Sequence, residues 1–566
     1  MAFRLPTTVA PTLLPLFLLA SGSPVTADTT LHQVVAYVDA FITEHRRAEG
    51  TPGIAVVLLS RDTLLHLSLA GVADLGTGAP LTPATRFLAG SISKVATAIV
   101  LLQLQEEGAI ALDRPVTTYL PWFRVRSRYA PITLQHLLSH TAGLPRDRSD
   151  LPSSPYTAVA LRDREVGGPP GEWFAYSNIG YQLLSLVVEE VEGRPFADIV
   201  SERVLRPLNM AETAPAVTQE GRREAATGYQ YFFDDRPPLP DTPLIPVPWS
   251  EYTAGDANLV ATPLDLARLL QALLRQGVGP KGRLLQPASF GRLVQRTVRA
   301  PELGADAFYG DGLVLGTLAG DPVFWHSGGM PGYRAMIIGD QDEGLGVVVM
   351  MNGPGNPRRV AEYALGALIR ARRGQPMLPV PVAPDPAVIP DASRYAGEFS
   401  DTAGARITIV AADDQLTLES DGTPTPVLRI GPEEFYAEDP AVTRFPIRFH
   451  FLADGAVELL SGGRWFRRPG PALPGPRPSA AWLAYPGHYR AQLSLYSNYR
   501  VVLRQGSLLL LTPEGYEERL VPLDHGTFRI GTEPRSPERL TFGEIVSGRA
   551  LRLNLSGTEY YRATTP

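Results

Sequence analysis

The 566-residue chain contains no cysteine. That absence excludes a disulfide framework, a cysteine nucleophile, cysteine-ligated zinc, iron–sulfur clusters and a lipidated N-terminal cysteine. Lysine is nearly absent as well: Lys94 and Lys281 stand against 50 arginines among 52 basic residues. The arginine bias reads as coding composition, with heat adaptation the weaker reading. Positive charge is not in excess. A formal net charge of -6, with no basic run and no aromatic stacking motif, argues against a nucleic-acid partner. The nine histidines show no HExxH or other metal-ligand spacing. Past the N-terminus no stretch approaches the roughly 18 apolar residues of a membrane span, so no membrane anchor is expected.

What is present describes an ordinary folded chain. Hydrophobic residues make up 44% and charged residues 19%. The length suggests three or four domains at about 150 residues each. Residues 1–27 have the pattern of an export signal: Arg4 at the positive end, a short apolar run from Leu13 to Ala20, and Val25-Thr26-Ala27 as a small-residue cleavage site. The expected location is therefore outside the cytoplasm, periplasmic or extracellular. Two proline-rich stretches, 375–391 and 468–482, read as spacers. They divide the chain into a large segment, 28–374, and two small ones, 392–467 and 483–566.

The large segment carries both periodicities. GIAVVLLS (53–60) and LGVVVMMN (345–352) read as buried strands. Residues 91–107, 177–193 and 262–277 read as helices. The last has Thr262 as N-cap, Pro263 in the first turn and Gly277 as the stop. Strands near both ends with helices between predict an α+β domain whose terminal strands pair in one antiparallel sheet.

The two small segments resemble each other. One opens with Tyr395-Ala-Gly-Glu-Phe399 and closes with Ser461-Gly-Gly-Arg-Trp-Phe-Arg467. The other opens with Tyr485-Pro-Gly-His-Tyr489 and closes with Ser556-Gly-Thr-Glu-Tyr-Tyr-Arg562. Alternating runs lie between and no helical pattern is evident. Each predicts a small antiparallel barrel, whose closure removes exposed edges.

The chemistry-bearing feature is Ser91-Ile-Ser-Lys94. Residues three apart on a helix share a face, so the serine hydroxyl and the lysine amine would lie side by side. A serine needs a nearby base to become a nucleophile. Burial among Val95 and Ile99 would bring the amine toward that role. A serine at a helix start also has the positive end of the dipole near a developing oxyanion.

Two further motifs follow in order. Tyr176-Ser-Asn178 precedes a predicted helix, and His326-Ser-Gly-Gly329 follows the strand-like DPVFW. Together with LLSHTAGL (137–144) and AGDANLVATPLDLARLL (254–270), these three motifs resemble the penicillin-recognising serine hydrolases, across roughly residues 30–373. The resemblance implies a beta-lactamase/transpeptidase-like catalytic domain. It implies Ser91 as the acylated nucleophile. Lys94 would assist its deprotonation, directly or by tuning Tyr176, and Tyr176 would pass the proton to the leaving group and later activate water. Asn178 would hydrogen-bond the substrate amide or the lysine. The oxyanion would sit on backbone N–H groups of Ser91 and Gly329, within the Gly328-Gly329 strand. No metal or organic cofactor is needed by that mechanism. His136 and His140 read as structural. A second Tyr-Ser-Asn, 496–498, has no Ser-x-x-Lys in its segment and reads as a barrel tripeptide.

One departure bears on substrate. Most relatives begin the third motif with a lysine that helps bind a carboxylate; here the residue is His326, mostly neutral at pH 7. Histidine there resembles esterases and aminopeptidases of this superfamily. A catalytic domain followed by two barrels resembles the three-domain D-aminopeptidases, in which a tail barrel is expected either to cover the cleft or to act as a spacer or binding module. The reading is thus an exported serine hydrolase acting on a small-molecule or peptide amide or ester. Peptides containing D-amino acids and cell-wall fragments are the expected substrates. A beta-lactamase or D-Ala-D-Ala carboxypeptidase is the alternative enzyme, and a non-catalytic penicillin- or cell-wall-binding protein the alternative of another class. An α/β-hydrolase lacks its Gly-x-Ser-x-Gly elbow here.

Overall fold

The computed structural model describes residues 27–563, apart from 149, 240, 421–422, 440–445, 462–463, 471–477, 492–496, 505, 513–515 and 525. Residues 1–26 of the expected export signal and 471–477 of the second proline-rich stretch lie outside the described residues. Among those described, no helix is long and apolar enough to cross a membrane.

GIAVVLL is a continuous apolar run, without polar alternation, because the strand it forms is buried on both faces. In β1 (Gly53–Ser60), Ile54, Val56 and Leu58 enter one apolar cluster, while Ala55, Val57 and Leu59 enter another. Residues 345–351 behave the same way: Val347, Val349 and Met351 face one side, Val348 and Met350 the other. The sheet is therefore the middle layer of three. Its strands are β1, β2 (Leu64–Gly71), β3 (Val298–Arg299), β4 (Phe308–Tyr309), β5 (Val314–Leu318), β6 (Asp321–Met330), β7 (Tyr333–Asp340) and β8 (Leu345–Met351). They lie in the order β2-β1-β8-β7-β6-β5-β4-β3. β1 and β8 pair antiparallel from Ile54↔Met351 to Ser60↔Leu345, which joins the two ends of the segment as expected.

Helices α1 (Ala27–Glu49) and α6 (Pro357–Arg372) cover one face of the sheet. The other face carries α2 (Ser93–Glu106), α3 (Leu134–Leu138), α4 (Asn178–Glu192) and α5 (Pro263–Leu274). Local chemistry sets their ends. Thr262 accepts the Asp265 N–H and Pro263 opens α5. Gly193, at φ 66°, closes α4. One boundary differs from the expectation. The helix predicted from residue 91 begins with a tighter 3-10 turn, Gly90–Ile92, before α2 proper.

The two tail segments are closed eight-stranded antiparallel barrels. The first runs from Gly397–Ser400 to Arg464–Arg468 and closes through Ser400↔Arg467. The second runs from Gly487–Arg490 to Thr558–Arg562 and closes through Tyr489↔Arg562. The repeated motifs at the ends of each segment are thus the strands that meet at closure. Aromatic side chains fill the interiors: Tyr395, Phe399, Phe435 and Phe449 in one, Tyr489, Phe528 and Tyr560 in the other.

Candidate active site

Ser91 sits in the 3-10 turn, which lies directly on β6. A Cβ at Gly90 would come within 2.6 Å of the Gly329 nitrogen, and one at Gly328 would overlap the Ala89 carbonyl oxygen. Glycine on both sides lets the two backbones touch. This contact brings the first and third motifs together, with Ser91 beside Gly329. A Cβ on Gly329 would meet nothing within 4 Å, so that side of the strand is open.

Lys94 follows on the first turn of α2 and is fully buried. Its Nζ lies 2.9 Å from Ser91 Oγ, 2.8 Å from Asn178 Oδ1 and 3.0 Å from the carbonyl oxygen of Asp256. The rings of Tyr176 and Tyr181 flank it, their centroids 5.0 and 5.5 Å away. Ser91, Lys94, Tyr176 and Asn178 are therefore gathered at one point.

Asn178 is free to reach Lys94 because Ser177 takes the capping role, accepting the Gly180 N–H. The segment 175–178 is held by the loop after α3. His140 O accepts the Ala175 N–H at 2.8 Å, and His140 Nδ1 accepts the Ser177 N–H at 3.1 Å. Ser177 Oγ donates to Pro145 O at 2.7 Å, and the Asn178 N–H donates to Arg146 O at 2.8 Å. The stretch LLSHTAGLP is thus the bracket of the second motif. The His140 ring also lies on Tyr176, centroids 4.2 Å apart. Burial, with Lys94 nearby, pushes His140 well below the ordinary histidine range, so it stays neutral. His136 closes a capping box with Thr133 at the start of α3.

His326 lies on β6, but its ring is 2% exposed. Nδ1 is 2.7 Å from Ser327 O and Nε2 is 3.2 Å from Tyr309 Oη. The carbonyl can only accept, so Nδ1 carries the proton and Nε2 takes the tyrosine O–H. Burial and the Lys94 charge lower His326 to about 3. The residues of this motif that reach the surface are Ser327 and Gly329. Ser327 was not among the residues singled out from the sequence.

Nor were four others. Asp256 Oδ1 accepts a 2.8 Å hydrogen bond from Tyr252 Oη, which in turn accepts one at 2.9 Å from Gln182 Nε2. Burial, and after it the Asp256 charge, push the Asp147 carboxyl up to about 6, against the Arg148 N–H and the Arg146 and Lys94 charges. The only available signal for Asp256 was its place in AGDANLVAT.

The second barrel reaches the rim of the site. Glu538 Oε1 accepts the Arg146 N–H at 2.7 Å, and Thr558 Oγ1 donates to Asp150 Oδ1 at 2.9 Å. The Arg535 guanidinium stacks 4.5 Å over Trp173. The second Tyr-Ser-Asn is elsewhere: Tyr496 is outside the described residues, and Asn498 Nδ2 donates to Asp234 O at 2.6 Å, a contact between barrel and catalytic domain.

A family model described as Beta-lactamase matches residues 38–371. Penicillin-binding protein 4 of Amycolatopsis lactamdurans is 28% identical over 328 residues, covering 56% of this chain and 83% of that protein. Teichoic acid D-alanine hydrolase of Staphylococcus aureus is 32% identical over 206 residues, 35% of this chain, which spans 49% of that relative's length. Among solved structures, the octameric penicillin-binding protein homologue from Pyrococcus abyssi superposes with a TM-score of 0.56 at 24% identity, covering 77% of this chain and 100% of that one. D-amino acid amidase from Ochrobactrum anthropi SV3 shares the fold at TM-score 0.50 and 22% identity, covering 60% and 99%. With the family model matching more than half its length, the chain belongs to the beta-lactamase family and is a serine hydrolase of that fold.

Proposed function

We propose that the protein is an exported acyl-enzyme hydrolase of D-amino-acyl amides, esters or short peptides, with Ser91 as nucleophile and Lys94 as its base. The observation that carries this reading is the hydrogen-bonding of Lys94. Asn178 Oδ1 and Asp256 O only accept, so they take two N–H bonds. The third position faces Ser91 Oγ at 2.9 Å. As a neutral amine, Lys94 then has its lone pair directed at the serine proton. Once protonated, it keeps all three contacts and the two tyrosine faces, so proton transfer needs no rearrangement.

Ser91 Oγ attacks the substrate carbonyl as its proton passes to Lys94. The carbonyl electron pair moves to oxygen, beside the N–H groups of Ser91 and Gly329. Collapse expels the leaving group, which takes a proton through Tyr176. Water then resolves the ester by the reverse path. Removing one oxyanion donor from such a site costs about 10²- to 10³-fold.

Two observations support the substrate class. His326 is neutral and buried, so no cation stands at the position where relatives hold a carboxylate-binding lysine. A relative is named for hydrolysis of D-alanine from teichoic acid. The bacterial, cell-wall-related names of the relatives and the leader-like N-terminus support export. The beta-lactamase or carboxypeptidase reading draws on the name of the Amycolatopsis relative.

The test is intact-protein mass after treatment with a fluorophosphonate and, separately, a penicillin, in wild type and Ser91→Ala. The expected result is one fluorophosphonate adduct, absent in the variant, followed by faster turnover of D-alanyl than L-alanyl p-nitroanilide. Absence of any adduct in folded protein would refute the acyl-enzyme. Faster turnover of a chromogenic cephalosporin than of either anilide would favour the beta-lactamase.

A further inference from the structure

The second barrel carries a cavity of about 420 Å³ that shares no lining residue with the site around Lys94. Trp482, Ser507, Arg519, Pro522, Arg529 and Thr532 are among its walls. Its size is that of a small-ligand site. Strand register explains how the two arginines come together. Leu520, Phe528 and Leu540 enter the apolar interior of the barrel, so alternation turns Arg519, Arg529 and Arg539 outward. Val521 lies opposite Arg529, and Arg529 lies opposite Arg539. Arg519, two residues before Val521, is therefore the diagonal neighbour of Arg529, within reach for long side chains.

Like charges facing each other across strands are destabilising. Other arginines of this barrel sit against acids: Arg504 on Glu517 and Arg552 on Glu559. Among the described residues, Arg519, Arg529 and Arg539 form no ion pair with a carboxylate. The acids next to them in sequence are engaged elsewhere. Glu517 takes Arg448 and Arg504, and Glu538 takes the Arg146 N–H and the Ser556 hydroxyl. Arg539 is satisfied by two carbonyls, Ser536 O and Glu538 O. Arg529 Nε is buried without a hydrogen bond, so packing rather than an acid holds that head in place. The hydroxyls of Ser507 and Thr532 likewise make no hydrogen bond among the described residues. Trp482 stands beside these groups in the turn Ala480–Ala484, half-buried, its ring 5.8 Å from Phe528.

We propose that this cavity binds a sugar bearing a phosphate or carboxylate group, with the anion on Arg519 and Arg529 and the ring against Trp482. Two guanidiniums offer the planar N–H forks that match either anion. The indole offers an apolar face to a sugar ring, and the two hydroxyls can meet its own hydroxyls. The strand that begins at Arg539 follows directly on Glu538, which touches the rim of the catalytic site. A glycan held in the cavity is thus bound by the same barrel that walls the cleft. The proposal does not depend on Ser91 being the nucleophile.

The experiment is titration calorimetry on the full chain with glucose 6-phosphate, N-acetylmuramic acid, inorganic phosphate and glucose. It compares wild type, Arg519→Gln, Arg529→Gln, Trp482→Leu and Ser91→Ala, with circular dichroism confirming each fold. Wild type should bind at least one of the two sugar acids, and which one binds tells phosphate from carboxylate. Each arginine variant should weaken that binding about tenfold or more. Trp482→Leu should weaken the sugar acid and leave inorganic phosphate unchanged. Should that variant fail to fold, glucose 6-phosphate against inorganic phosphate in wild type decides the role of the ring. Ser91→Ala should bind like wild type. Inorganic phosphate bound as tightly as both sugar acids would overturn the sugar site. Equal binding in wild type and both arginine variants, or no binding of either sugar acid at about 10 mM, would overturn the cavity as an anion site.

Discussion

Glu538, in the second barrel, accepts the backbone N–H of Arg146 at 2.7 Å, and the carbonyl of Arg146 accepts the N–H of Asn178 at 2.8 Å. A barrel residue 360 positions from Asn178 thus stands one residue away from a group that touches Lys94. The contact makes the tail barrel part of the wall of the site.

Glu538→Ala should therefore reduce kcat as well as loosen the barrel. A hydrogen bond to a charged group contributes about 1.5–3 kcal/mol. Partial transmission to Asn178 would appear as roughly a tenfold fall in kcat/KM. Steady-state kinetics beside Glu533→Ala, an acid whose Oε1 accepts the N–H and Nε–H of Arg535 in its own loop, would show whether the effect is specific to Arg146.

Replacing Lys94 should abolish acylation more completely than replacing Asn178. Lys94→Ala removes the base and leaves Asn178 Oδ1 and Asp256 O without a donor. A loss of about 10³-fold or more is expected. Lys94→Arg should not rescue, because a guanidinium cannot give up its proton. Asn178→Ala should cost about 10- to 100-fold. Labelling rates with a fluorophosphonate measure all three.

The glycines of β6 should separate sharply. Gly328→Ala drives a Cβ into the Ala89 carbonyl and pushes the Ser91 turn off the strand. Gly329→Ala meets no protein atom within 4 Å. The first should lose more than about 100-fold in labelling, comparable to losing an oxyanion donor. The second should fold and label normally with a small reagent. Labelling that is equal in both variants would contradict the docking.

Stability should respond to Asp147. Its acid is raised from 3.8 to about 6 in the fold, so the folded state binds the proton more tightly. The stabilising effect of that proton is complete below about 3.8 and is lost as pH rises through about 6. Asp147→Asn removes the burden of ionisation. It should match wild type near pH 3.5 and exceed it at pH 8 by about 1–3 kcal/mol. Unfolding in urea at the two pH values provides the comparison.

The elements and motifs legible in the sequence are those fixed by short-range geometry. Ser91 and Lys94 lie side by side because three residues make nearly one helical turn, even with a 3-10 start. Thr262, Pro263 and Gly193 set helix ends through their own backbone chemistry. The double repeat of aromatic motifs marks two barrels because each closing strand must carry the same inward residues. The bracket formed by residues 140–146 was legible as a stretch, though not as a set of bonds.

What only the tertiary structure decided is contact across long stretches of chain. Lys94 meets Asn178 and Asp256 across 84 and 162 residues. Nothing local to AGDANLVAT says that its aspartate lies beneath the lysine. His326 reads as a cleft residue in the motif, yet strand alternation turns its ring toward Tyr309 and leaves Ser327 exposed. The approach of Glu538 to Arg146 depends on how a separately closed barrel packs against the catalytic domain. Turn and helix geometry follow from neighbouring residues; burial, charge balance and domain docking follow from which distant surfaces exclude water together.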